Sequence, residues 1–168
     1  MKTISRRLVL LRHAKSSWKR PDHHDRDRPL SARGRRDAPR VAERLVALGW
    51  EPEQIVSSDA RRARETAKLL LGAFGDGVEI TLDPALYSDG ASAILDSLSG
   101  LEPSVGAAMV VGHNPDMEWA VRILSRSSIG FGTATAVLLS IDNTADWAEA
   151  SGLAGEWTVE GVIRPDQI

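Results

Sequence analysis

Short, nearly unbroken aliphatic runs recur along the chain, and they limit what it can fold into. Leu8-Val9-Leu10-Leu11 and Ala107-Ala108-Met109-Val110-Val111 show no alternation of polar and apolar residues. Such a strand must bury both faces, as the strands of parallel sheets do, whereas a strand with one wet face alternates. Amphipathic helical stretches separate these runs. The pattern is that of an α/β domain, a three-layer α/β/α sandwich around a mostly parallel central sheet.

The first strand reads as Leu8 to Leu11. A helix opening at Ser31 carries Ala38, Val41, Ala42, Leu45, Val46 and Leu48 at helical spacing and stops at Gly49. Gln54 to Ser57 is the second strand, and Ser58 reads as the N-cap of a helix through Ala63, Ala67, Leu70 and Leu71. A third strand, Val78 to Leu82, precedes an irregular link from Asp83 through Tyr87 to Gly90 and a short helix from Ser92 to Leu98. The run from Ala107 leads to Asn114 as N-cap, Pro115 at the first helical position and a helix to Leu124. Thr135 to Ile141 and Trp157 to Ile163 read as closing edge or antiparallel strands joined by a polar turn through Asp142-Asn143.

With 168 residues, 42% of them apolar, the chain suits one well-filled core and a single domain over 1–168. A net charge of -2 gives no electrostatic case for a nucleic-acid partner or an acidic membrane. Positive charge gathers in the first third, so a cationic pocket is expected rather than a cationic protein. The lack of cysteine excludes disulfides, thiolate nucleophiles and cysteine zinc sites, and it fits a reducing, cytoplasmic setting. The apolar stretch after Ser5-Arg6-Arg7 ends at Arg12-His13, too soon for an export signal or a membrane span.

Chemistry-bearing residues close the apolar runs. The first strand ends at Arg12 and His13, the second at Ser57 and Ser58 with Arg61 and Arg62 one turn into the helix, and the fourth at Gly112 and His113. Ligands of open α/β sheets bind at such carboxyl ends, where helix N-termini also direct their free N–H groups. A histidine there can act as a nucleophile, and a guanidinium can hold two phosphate oxygens at once. The convergence points to phosphoryl transfer.

Three segments then resemble a known family. Leu11-Arg12-His13-Ala14-Lys15-Ser16-Ser17-Trp18, Ser57-Ser58-Asp59-Ala60-Arg61-Arg62-Ala63-Arg64-Glu65-Thr66-Ala67 and Gly112-His113-Asn114-Pro115 look like the signature segments of the histidine phosphatase superfamily. The short length and Asp27-Arg28-Pro29-Leu30-Ser31-Ala32-Arg33-Gly34 make the chain most similar to the SixA-type phosphohistidine phosphatases. The resemblance implies a phosphoglycerate mutase-like fold without a large cap insertion. It also implies that His13 is the nucleophile, that Arg12 and Arg62 clamp the phosphoryl oxygens and that His113 completes the pocket. Ser16, Asn114 and Trp18 are the candidate substrate contacts, and neither a metal nor a cofactor is expected.

The departures from the family pattern bear on the substrate. Ala14 for the common glycine is a small change, whereas Lys15 and Lys19, where an acidic residue and an asparagine are common, point away from the sugar-phosphate mutases. The carboxylate that many members use as general acid has no clear equivalent around Leu86-Tyr87-Ser88-Asp89-Gly90, where Asp89 is the nearest stand-in. An alkoxide needs a proton as it leaves, whereas an imidazole, with a conjugate-acid pKa of about 6.5, departs without a dedicated donor. Phosphohistidine on a protein is therefore the expected substrate. The alternatives are a small phosphate ester or nucleotide, and a phosphate-binding module without turnover.

Other conspicuous residues have plainer readings. Arg28, Arg33, Arg35 and Arg36 suit a solvated face, and His23 and His24 suit a loop. Ser57 and Ser58 read as capping residues. Trp50, Trp119, Trp147 and Trp157 read as packing residues, Trp18 as pocket wall or core, and His13 as an imidazole facing solvent at a strand end.

Overall fold

The computed structural model describes Lys2 and residues 4–168. Its strands are β1 (Ile4–Arg12), β2 (Gln54–Ser57), β3 (Glu79–Leu82), β4 (Ala107–Gly112), β5 (Ala136–Thr144) and β6 (Thr158–Ile163). Its α-helices are α1 (Ala32–Ala47), α2 (Arg61–Leu71), α3 (Ala85–Ser88), α4 (Ala91–Ser99), α5 (Asp116–Ser125) and α6 (Trp147–Gly152). The strands form one six-stranded sheet in the order β3-β2-β4-β1-β5-β6. From β3 to β1 neighbours are parallel, while β5 runs antiparallel to both β1 and β6.

The unbroken apolar runs are explained by the layers. Successive residues of a strand point to opposite faces, and both faces are covered. Val9 and Leu11 of β1, with Ile55, Met109 and Val111, pack against Ala38, Val41 and Leu45 of α1 and Ala67 and Leu70 of α2. Leu8 and Leu10, with Val56 and Val110, pack against Ile94 and Leu98 of α4, Ala120 and Leu124 of α5, and Trp147 of α6. Truncating one of the fully buried leucines to alanine costs about 2–5 kcal/mol.

Several boundaries differ from the sequence reading. β1 begins before the aliphatic run because Arg6 is itself fully buried. Its guanidinium donates to the carbonyls of Pro103, Val105 and Ala145 and to the Thr144 hydroxyl, which compensates the burial of the charge. β5 continues through Asp142 and Asn143, so these are strand residues rather than a turn, and α6 follows before β6. The signal for α6 is Asp146 with Glu149 three residues on: the Asp146 carboxylate accepts from Glu149 N at 2.8 Å. The link after β3 contains the single turn α3. α2 has Ala60 at its N-cap, and Ser58 braces the approach instead by accepting from Ala60 N at 3.1 Å. At α5 the cap is Pro115 rather than Asn114, and the Asn114-Pro115 bond is cis.

Among the described residues no helix is long and apolar enough to cross a membrane.

Candidate active site

Sheet register assembles the site. In the ladders, Arg12 is level with Gly112, and Ser57 with Val111. The pairing continues one step past the strands, with His13 N donating to Gly112 O at 3.0 Å and Ser58 N to Val111 O at 2.9 Å. Three carboxyl-terminal strand ends therefore deliver His13, Ser58 and His113 side by side. The two imidazole ring centres are 5.2 Å apart.

His13 is only 6% exposed, which corrects the expectation of a solvent-facing side chain. Its Nδ1 lies 2.7 Å from the Ala14 carbonyl, and its Nε2 lies 3.3 Å from Nε of Arg62. Burial, reinforced by the charges of Arg62 and Arg12 and by His113, lowers its pKa to about 3. His113 is buried too, and desolvation with the Arg62 charge lowers it to about 4. Its Nε2 is 2.8 Å from the Ser58 hydroxyl. Both imidazoles are thus neutral at neutral pH.

Arg62 is buried, as the second residue of α2 on its inward side, whereas Arg61 is half-exposed and bonds Glu65 at 2.8 Å. Arg12 sends Nη1 to Phe131 O at 2.8 Å. Glu118 holds that segment from α5, accepting from Phe131 N and from Asn114 Nδ2. Among the described residues, Arg12 Nε and His113 Nδ1 are buried polar atoms with no hydrogen-bond partner. Polar groups in that state are available to an oxyanion.

The loop between β1 and α1 folds back over these strand ends. Ser16 pairs with Leu30 as an isolated bridge, Ser17 N bonds Pro29 O, and Ser31 N bonds Lys15 O. Gly34 is required for this closure, because a Cβ there would come within 2.2 Å of Lys15 O. The fold-back brings in residues that sequence reasoning missed. Asp25 accepts from Arg62 Nη2 at 2.9 Å and from the Tyr87 hydroxyl at 2.7 Å, and its backbone carbonyl accepts from Arg62 Nη1. Tyr87 in turn sets its ring edge-on to His113, 5.5 Å between centres.

Arg28 is not part of a solvated face. It is buried, donates to Asp25 Oδ1 and to Ser16 Oγ, and stacks 3.5 Å from the Trp18 ring centre. Ser16 is thus a buried partner of Arg28, and Asn114 is tied to Glu118. Trp18 is 68% exposed and belongs to the rim rather than the core. Trp147 and Trp157 are core residues as expected, but Trp119 is 54% exposed on α5 and is corrected from packing to surface. Asp89 is exposed, and its carboxylate accepts from the neighbouring Ser88 hydroxyl, outside this cluster.

Residues 8–87 match the profile of the histidine phosphatase superfamily, branch 1. An uncharacterised chloroplastic protein of Arabidopsis thaliana is 41% identical over 98% of this chain and 80% of its own length. Among solved structures, a protein of Agrobacterium tumefaciens assigned as the phosphohistidine phosphatase SixA superposes with a TM-score of 0.78 at 28% identity, over 95% of this chain and 98% of its own. A mycobacterial glucosyl-3-phosphoglycerate phosphatase shares the fold, with a TM-score of 0.67 at 21% identity over 93% and 97% of the two chains.

Proposed function

The chain belongs to the histidine phosphatase superfamily, with a SixA-like, phosphoglycerate mutase-like fold, and from that premise we propose that it is a metal-independent phosphatase acting on phosphohistidine of a signalling or phosphotransfer protein. The observation that carries the proposal is the state of His13, a buried neutral imidazole with Nδ1 against a carbonyl and Nε2 against the clamp arginine. Nε2 attacks phosphorus of a phosphohistidine protonated on its second ring nitrogen, and the bond from phosphorus to that ring breaks. The substrate imidazole leaves neutral with its N–H, and phosphate resides on Nε2 of His13, which keeps its hydrogen on Nδ1. Water then attacks phospho-His13, giving inorganic phosphate and the free imidazole. Arg12 and Arg62 neutralise the charge spread over the transferring oxygens, and His113, oriented by Ser58, completes the pocket.

Phosphohistidine is favoured over esters by the leaving group, since no carboxylate in the cluster is set to protonate an alkoxide. The short link between β3 and α4 supports a single uncapped domain that a histidine on another protein can approach. Trp18 offers a substrate-facing ring at the rim, while Ser16 and Asn114 act through Arg28 and the Phe131 segment. The lack of cysteine agrees with the reducing cytoplasm as the setting. A second reading, a phosphatase for small phosphate esters, is favoured by the mycobacterial relative of the same fold.

The test is a phosphotransfer protein carrying labelled phosphohistidine, compared with sugar phosphates. Rapid release from the protein, with acid-labile, alkali-stable label passing through His13, is the expected result. Efficient turnover of sugar phosphates with none of the phosphoprotein would promote the small-ester reading.

A further inference from the structure

Among the groups around the two histidines, Asp25 is the one that a phosphoryl pocket has no need of. A site for a dianion is best lined by cations and neutral donors, yet here a carboxylate sits on the principal guanidinium. Arg62 meets Asp25 Oδ2 through Nη2 at 2.9 Å and His13 Nε2 through Nε at 3.3 Å, so one planar group touches both the carboxylate and the candidate nucleophile. Arg28 adds a bond to Oδ1 at 3.1 Å, and Tyr87 adds one to Oδ2 at 2.7 Å.

Burial raises the Asp25 pKa, but the Tyr87 hydrogen bond and the Arg62 charge outweigh it and hold the value at about 2. The group is therefore always ionised at neutral pH and is not the missing proton donor. It is also the outermost member of the cluster. The Asp25 side chain is 46% exposed, against 7% for Arg62 and 8% for Arg28, so it stands between the buried clamp and the solvent from which substrate arrives.

We propose that Asp25 is the specificity residue of the site. Its fixed negative charge admits phosphoryl groups on neutral or cationic leaving groups and rejects those whose leaving group carries a further anion. The inference rests on the phosphatase reading above and states which phosphate compounds that phosphatase selects. A carboxylate or second phosphate beside the scissile bond is brought close to the Asp25 charge, and at a half-exposed position the repulsion amounts to about tenfold or more in kcat/KM. The phosphohistidine ring, protonated at its second nitrogen so that it can leave as neutral imidazole, instead presents an N–H. Asp25 Oδ1 accepts only from Arg28 and keeps a lone pair for it. Protein phosphohistidine satisfies this filter, whereas bisphosphates and phosphorylated hydroxy acids do not.

The test uses a matched pair of aryl phosphates, 3-carbamoylphenyl phosphate and 3-carboxyphenyl phosphate, with the parent enzyme and Asp25→Asn. Intrinsic reactivity cancels when the ratio of the two is compared between enzymes. The parent should prefer the carbamoyl compound, and the preference should shrink about tenfold in Asp25→Asn, which keeps an acceptor for the arginines but loses the charge. Inorganic phosphate should inhibit the variant more tightly than the parent, and added salt should narrow the parent's preference. Asp25→Ser, which removes the same charge with a smaller side chain, should repeat the result. An unchanged preference, or weaker inhibition by phosphate in the variants, overturns the proposal and leaves Asp25 as a brace for Arg62. If the parent hydrolyses neither ester, the phosphatase reading falls. Calorimetric titration with inorganic phosphate then still decides Asp25, because tighter binding by Asp25→Asn supports the charge filter and equal or weaker binding overturns it.

Discussion

Arg62 Nε lies 3.3 Å from His13 Nε2, and because a guanidinium can only donate, this contact assigns the imidazole lone pair to Nε2. The Ala14 carbonyl at 2.7 Å from Nδ1 takes the ring hydrogen and makes the same assignment from the other side. The tautomer needed for attack through Nε2 is therefore set by the β1 terminus and α2 together, before any substrate arrives.

Replacing His13 by alanine should remove turnover, by about 10³-fold or more, because the covalent route is lost. The fold should survive, since the imidazole's polar contacts are a single carbonyl and Arg62 rather than core side chains. Stopped reactions of the parent should carry phosphate on His13. Hydrolysis by the alanine variant at the parent rate would show that His13 is not the nucleophile.

The two histidines also make stability depend on pH. Burial holds His13 at about 3 and His113 at about 4, whereas both titrate near about 6.5 in the unfolded chain. Between these limits the unfolded state binds more protons, so their contribution is fully present above about pH 6.5 and is lost as pH falls, toward about 4 for His113 and about 3 for His13. Urea midpoints measured near about pH 7 and about pH 4.5 should drop further for the parent than for His113→Asn. Equal drops would show that His113 is protonated as readily in the folded protein as in the unfolded chain.

Adjacent arginines should respond very differently to truncation. Arg62→Ala removes the donor that faces His13 and should cost on the order of 10²-fold in kcat/KM on an aryl phosphate. Arg61→Ala removes only an exposed pair with Glu65, worth little, and should stay near the parent rate. Comparable losses at the two positions would undo the assignment. A chelator should leave both enzymes unchanged, because fixed guanidinium charges do the neutralising.

What the sequence made legible is what the chain encodes locally. Aliphatic runs announce strands buried on both faces, and residues that close such runs fall at one edge of the sheet, so Arg12, His13, Arg62 and His113 could be grouped from strand ends alone. Asp25 and Arg28 could not. They lie in a loop without periodicity, and their partners Arg62 and Tyr87 are remote in sequence, so it is the fold-back through the Ser16–Leu30 bridge and the Ser17–Pro29 and Ser31–Lys15 bonds that brings them in. Arg28 looked like one charge in a basic cluster, and burial beside Trp18 and Ser16 is a tertiary outcome that its neighbours in sequence do not announce. The alternation Asp25-Arg26-Asp27-Arg28 was the available hint, since opposite charges three residues apart can pair, as Arg28 and Asp25 do at 3.1 Å.

Substrate choice should follow leaving-group basicity. Asp25 is held ionised, and the Asp89 carboxylate is exposed and turned to the Ser88 hydroxyl, so neither is set to protonate a departing alkoxide. Phosphoramidates and aryl phosphates should therefore turn over far faster than alkyl phosphates of similar size, with a steep dependence of rate on the basicity of the departing group. Asp89→Asn should scarcely change phosphohistidine hydrolysis, whereas a true acid catalyst at that position would lose about 10²–10⁴-fold on alkyl esters when neutralised. The decisive comparison is an unactivated sugar phosphate assayed with the parent and with Asp89→Asn. Fast cleavage by the parent that disappears in the variant would mean that Asp89 swings into the site as a proton donor, and the enzyme would then be a small-ester phosphatase.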